Sequence, residues 1–148
     1  MNLSINFLGK YRRGVFIGMH LLSLMIFVAN FYFPAYSTTT GYSDGLALLL
    51  TGWMGLFIDP AASLSWLANP LYFMSLYGMI KKRDINLLFL YSLLSVVFSL
   101  LFLCVKSVIS DEGGNERLVI SYHLGYWLWV LAPLILMISQ YIEIKTSD

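Results

Sequence analysis

The sequence has a single cysteine, Cys104, in 148 residues, and only 11% of its residues are charged. A lone thiol excludes an intramolecular disulfide and C-x-x-C redox chemistry. The scarcity of charge is more restrictive. An average soluble domain carries about 25% charged and about 45–50% apolar residues, whereas 59% of this chain is apolar. So little polar surface cannot wrap a soluble core, and the chain is expected in a lipid bilayer. A formal net charge of +1 supplies no dense basic patch, which argues against a nucleic-acid partner. No internal repeat, low-complexity tract or linker interrupts the sequence. Residues 1–148 are expected to form one membrane-embedded helical bundle.

Charges punctuate four apolar stretches. Val15 to Phe33 reaches about 28 Å as a helix, close to the hydrocarbon thickness of about 30 Å. Its basic flank resembles that of a signal peptide, but no A-x-A-type cleavage site follows, so a retained helix is expected. Leu46 to Ile80 is too long for one crossing and too short for two plus a turn. Asp59-Pro60 divides it, because proline lacks a backbone donor and disfavours helix at the preceding residue. The expectation is a short interfacial or re-entrant helix over 45–58, then a span over 61–80. Ile85 to Val105 and Leu118 to Ile142 supply two further spans, the last bent at Pro133. The predicted fold is therefore all-α and polytopic, with four transmembrane helices (15–33, 61–80, 85–105, 118–142) and one short helix.

With both termini on one side, that side holds Lys10, Arg12, Arg13, Lys81, Lys82, Arg83 and Lys145, and the other only Lys106 and Arg117. The positive-inside rule then assigns both termini to the cytoplasm. Tyr122, Tyr126, Trp127 and Trp129 read as an aromatic belt at the outer interface. Ser92, Ser95 and Ser99 follow helical spacing and give one span a small, polar face that suits another helix.

Candidate chemistry is sparse. The span interiors contain no Asp, Glu, Lys or Arg, so the embedded carboxylate of a proton-coupled exporter and the arginines of a voltage sensor are missing. His20 and His123 each lie about 8 Å inside opposite ends of their spans. Their depths differ by roughly 15 Å in a slab of about 30 Å, so no shared metal or haem is expected, and no cofactor. His123, beside Tyr122, Tyr126 and Trp127, either makes an interhelical hydrogen bond or binds a partner or lipid. Asp59 reads as the N-cap of a helix that begins at Pro60, with a catalytic or ion-binding carboxylate as the alternative. Without a second acid, base or nucleophile in register, an enzyme is not expected. Asn69-Pro70 suggests either a kink or a broken helix that lines a binding site. Trp53 and Trp66 flank the Asp59 corner as interfacial anchors. The apolar stripe Leu46, Leu49, Leu50, Trp53, Met54 and Phe57 has helical period, and Gly45, Thr51, Gly52 and Gly55 lie largely off it.

The run Gly52-Trp53-Met54-Gly55 through Trp66-Leu67-Ala68-Asn69-Pro70, with the later Gly125-Tyr126-Trp127-Leu128-Trp129, resembles a group of small uncharacterised four-helix proteins of the bacterial inner membrane. The resemblance implies a fold and a compartment, and no activity. Size and topology are also similar to membrane-resident immunity proteins that neutralise pore-forming toxins, a likeness of architecture alone. Two functions follow as expectations. In the first, the chain binds another membrane protein or an inserted toxin through Trp53, Gly55, Asp59, Trp66, Asn69 and His123, with a second copy of itself as a further candidate partner. In the second, it is a small transporter or an ion- or lipid-binding protein whose site is the broken segment 59–70.

The basic asymmetry generates a topological prediction. Reporter fusions after Asp148 and within Ser110 to Glu116 are expected to report opposite sides of the membrane. The same side for both would overturn the four-span arrangement.

Overall fold

A computed structural model describes residues 2–57, 59–109 and 115–147. Among these residues the helices are α1 (Asn2–Ala29), α2 (Gly45–Thr51), α3 (Pro60–Ser63), α4 (Ala68–Ile80), α5 (Ile85–Leu101) and α6 (Leu124–Ser147). The strands are β1 (Tyr36–Thr38), β2 (Gly41–Tyr42), β3 (Ser107–Ile109) and β4 (Glu116–Tyr122). Three helical segments are long and apolar enough to cross a membrane: Gly14–Tyr32, Ile85–Cys104 and Leu124–Thr146. The chain is therefore mostly helical and membrane-like, with a small sheet.

The bundle buries a row of small polar residues beside an apolar cluster of Phe27, Tyr72, Ala132 and Leu136. Ser23, Ser75, Ser92, Ser95, Ser99, Ser139 and Gln140 are fully buried, while Ile17, Leu21, Met25, Leu90 and Val97 face outward. Gln140 on α6 joins two other helices: its Nε2 donates to Ser75 Oγ at 2.8 Å, and its Oε1 accepts from Ser92 Oγ at 2.7 Å. Ser95 Oγ donates to the Ala68 carbonyl at 2.8 Å, which fastens α5 to the start of α4. Ser23 Oγ lies 2.7 Å from the Ala132 carbonyl and 2.9 Å from Tyr72 Oη, tying α1 to α6 and α4. The serine face expected on the third span is the one that meets its neighbours.

Helix ends obey local rules. Asp44 Oδ1 accepts from Leu46 N and Ala47 N to cap α2, and Asp84 Oδ1 accepts from Asn86 N to cap α5. Between α4 and α5, Lys82 adopts φ 51°, with Arg83 N bonded to Gly78 O and Lys82 N to Met79 O. This is a Schellman ending, and it reverses the chain so that α4 and α5 pack antiparallel.

Several sequence expectations are corrected. The last span does not begin at Leu118, because Glu116 to Tyr122 forms β4 and the helix starts at Leu124. The all-α expectation therefore gives way to a four-stranded antiparallel sheet of order β2-β1-β4-β3. Its register pairs Val108 with Arg117 and Tyr36 with Tyr122. A shift between Ser37 and Thr38 lets both Val119 and Tyr122 pack against the helical core, the re-aiming that a bulge produces. The segment expected as one span over 61–80 is α3, a 3-10 turn Leu64–Leu67 and then α4. Pro70 is the third residue of α4, where no intrahelical donor is needed, so the irregularity precedes the proline. The short helix over 45–58 is α2 continued by a 3-10 turn Gly52–Phe57; Ile58 lies outside the described residues, as do Ser110 to Gly114 of the expected outer loop.

Removing the Gln140 hub should loosen the bundle without unfolding it. Gln140→Leu loses two interhelical bonds, each worth about 0.6 kcal/mol in a membrane, so denaturant titration in mixed micelles is expected to show a loss of about 1–2 kcal/mol. Wild-type stability in this variant would show that the contacts carry no energy.

Candidate functional site

Four elements converge at the sheet end of the bundle. The 3-10 turn Asn30–Tyr32 closes α1, and β1 follows it. The α5 chain ends at the 3-10 turn Phe102–Cys104 before β3, and α6 starts just after β4. Gly125 N bonds the Pro34 carbonyl and His123 N the Ala35 carbonyl, which holds the start of α6 against the α1–β1 connection. Tyr126 Oη donates to Ser99 O at 3.1 Å and Tyr122 Oη to Phe102 O at 3.2 Å, satisfying carbonyls near the α5 terminus.

Against this end lies a flap made of α2 and the turn Gly52–Phe57, which rests on α3 and the turn Leu64–Leu67. Gly52 and Gly55 face that support. A Cβ on Gly52 would stand 2.5 Å from Trp66 Cδ1, and one on Gly55 would collide with Ser63 Oγ. Trp66 Nε1 donates to the Leu49 carbonyl at 2.9 Å, which pins the flap to the turn Leu64–Leu67. The stripe's larger side chains, Leu46, Leu50, Trp53, Met54 and Phe57, are exposed, and Leu49 packs inward. A surface of this kind suits hydrocarbon or headgroup surroundings.

Flap, bundle and sheet border a half-open cavity of about 400 Å³. Its walls include Phe31, Tyr36, Trp66, Phe102, Tyr126 and Trp129, with Leu48, Leu49 and Val108 between them. Polar atoms enter from Asn30, Thr51, Asp59, Ser63, Ser65 and Asn69. Asp59 Oδ1 accepts from Ala62 N at 3.2 Å and so caps α3, with Pro60 in its first position as the sequence suggests. Asn69 Oδ1 accepts from Trp129 Nε1 at 2.8 Å, a contact between α4 and α6. Burial pushes the Tyr36 hydroxyl above the usual tyrosine range.

Four of the six sequence-selected residues, Gly55, Asp59, Trp66 and Asn69, share this cavity. Trp53 does not. Its indole is about half exposed on the far side of the flap and donates to Leu50 O. His123 also lies elsewhere, with Nε2 3.2 Å from Ser121 Oγ and its ring 5.3 Å from that of Tyr42. His20 is on α1 beside Ser139, at 3.2 Å, and among the described residues no group of three or more His, Cys, Asp or Glu is placed to hold a metal. Tyr126 and Trp129 were expected in an interfacial belt with Tyr122 and Trp127. Of the four, only Trp127 is exposed, and Tyr126 and Trp129 line the cavity. Their i, i+3 spacing was the available signal, since it places both on one helix face. Asn30 was passed over, although a polar residue near the end of an apolar run is the same kind of signal.

Flap docking depends on the glycines, which makes it testable. With Cys104 replaced by Ser and a reporter cysteine at Leu49, Gly55→Leu is expected to raise maleimide labelling several-fold. Asp59→Asn, which still caps α3, should leave it unchanged. Equal labelling in both variants would mean that the flap does not rest on Gly55.

No family model, curated protein or solved structure matches this chain, so its function is read from the cavity and the membrane-type bundle around it.

Proposed function

We propose that the chain is an integral protein of the bacterial inner membrane that binds a small amphiphilic molecule in the cavity beneath the flap. The observation that carries this reading is the cavity itself. Its volume of about 400 Å³ falls within the roughly 300–1,000 Å³ typical of ligand sites, and a mostly apolar wall with a few placed polar groups is the usual composition. The proposed topology has four crossings and cytoplasmic termini. Pro60–Ile80, antiparallel to α5, serves as the fourth crossing beside the three long apolar helices. The asymmetry of the lysines and arginines sets the orientation, and the cavity then opens in the outer leaflet. An enzymatic role is not proposed, because among the described residues no second acid or base lines the cavity with Asp59.

A second reading, in which another membrane protein or an inserted toxin docks on the flap, is favoured by the outward stripe of Leu46, Leu50, Trp53, Met54 and Phe57. The two readings use opposite faces of one segment. A cavity ligand depends on Ala62 and Trp66, whereas a partner depends on Trp53.

Native mass spectrometry of the detergent-released protein is expected to show a one-to-one small-molecule adduct. Ala62→Phe, which fills the cavity, should remove it, and Leu90→Phe on the exposed face of α5 should retain it. An adduct unaffected by Ala62→Phe but lost in Trp53→Ala would move the binding site to the outer face of the flap.

A further inference from the structure

The chemistry of the cavity wall selects among amphiphiles, an inference that rests on the binding role proposed above. Asp59 is the sole formally charged residue among those that line the cavity; no lysine, arginine or histidine joins it. No cation pairs with Asp59 among the described residues. Its side chain makes one hydrogen bond among the described residues, Oδ1 accepting from Ala62 N. Among the described residues the site thus holds one carboxylate and no basic side chain.

The side-chain donors around it are largely engaged. Trp66 Nε1 donates to Leu49 O, Trp129 Nε1 to Asn69 Oδ1 and Tyr126 Oη to Ser99 O. Asn30 Nδ2 donates to Phe27 O, Thr51 Oγ1 to Ala47 O and Ser65 Oγ to Ala62 O. An anion entering the cavity would meet the Asp59 carboxylate, with Tyr36 Oη, Ser63 Oγ and Asn69 Nδ2 as the side-chain donors left to solvate it. With their polar edges occupied, the two tryptophans and Tyr126 offer mainly π surface. Phe31 and Phe102 add more. A carboxylate and several aromatic rings in the wall of one cavity is the chemistry that recognises an ammonium group, through ion pairing and cation–π attraction. Desolvation in a membrane-embedded site strengthens both.

We infer that the cavity takes a monovalent organic cation, an ammonium-bearing molecule with an apolar body, whose charge sits near Asp59 and whose body lies among Trp66, Tyr126 and Trp129. Neutral apolar molecules of the same shape would fill the same space without the charge-dependent part of the affinity.

Two probes of nearly identical shape test this: phenyltrimethylammonium and its uncharged analogue tert-butylbenzene. Calorimetric titration of the full chain in dodecyl maltoside is expected to show one site that binds the cation about tenfold more tightly than the neutral probe, or better. Asp59→Asn preserves the α3 cap and should abolish that preference by weakening the cation alone. Ala62→Phe should remove both probes. Equal affinity for the two probes in the wild type, with Asp59→Asn silent and Ala62→Phe still blocking both, would overturn the cation inference and leave the binding cavity standing. Cation binding that survives Ala62→Phe, or no binding of either probe, would also overturn the inference. The adduct measured by mass spectrometry then decides separately whether the cavity is a binding site at all.

Discussion

Between helices in a bilayer, apolar burial provides no driving force, because lipid tails are as apolar as leucine. This chain places its cohesion elsewhere. Gln140, Ser75 and Ser92 form a hydrogen-bonded bridge among α4, α5 and α6, and Ser23 joins α1 to both α6 and α4. Small side chains at these positions also let the helices approach closely, so packing and hydrogen bonding reinforce each other. Most of the large aliphatic residues face outward, and a few, Leu88 and Leu136 among them, pack inside with Phe27 and Tyr72.

A bundle held in this way still has to satisfy backbone groups where its helices stop, since an orphaned carbonyl in an apolar setting costs several kcal/mol by order of magnitude. Tyr122 and Tyr126 answer that demand at the end of α5, and the four strands pair the chain that follows α1 and α5. The same tyrosines, together with Tyr36, Phe102 and Val130, build a second apolar cluster under the sheet. The sheet is thus a lid over the helix ends. The cavity is the space left where that lid and the flap meet, and Tyr126, one of the two capping tyrosines, also lines it.

Much of the outline was legible in sequence. The apolar stretches located the long helices, Asp59-Pro60 marked the corner, and serine spacing identified the buried face of α5. Gly52 and Gly55 were readable as points of close approach. Two things were not legible. The strand Glu116–Tyr122 is continuous in hydropathy with α6, and an apolar run cannot by itself distinguish a short strand from the first turns of a helix. Trp129 and Tyr126 read as interfacial because aromatic residues near a span terminus usually are, yet a sheet covers this terminus and turns them inward.

The sequence by itself determined the solvent. So little charge and so many apolar residues fit a lipid environment, and helical period divided each stretch into faces, because both depend only on local composition and on the geometry of a helix. Tertiary structure decided which residues meet. Asn69 and Trp129 are far apart in the chain, as are Trp66 and Leu49, and each pair is joined by a hydrogen bond that only the packed bundle creates. The cavity around Asp59 follows from those long-range contacts. It is a property of how the flap, the helix ends and the sheet meet one another, and no local pattern encodes a cavity between them.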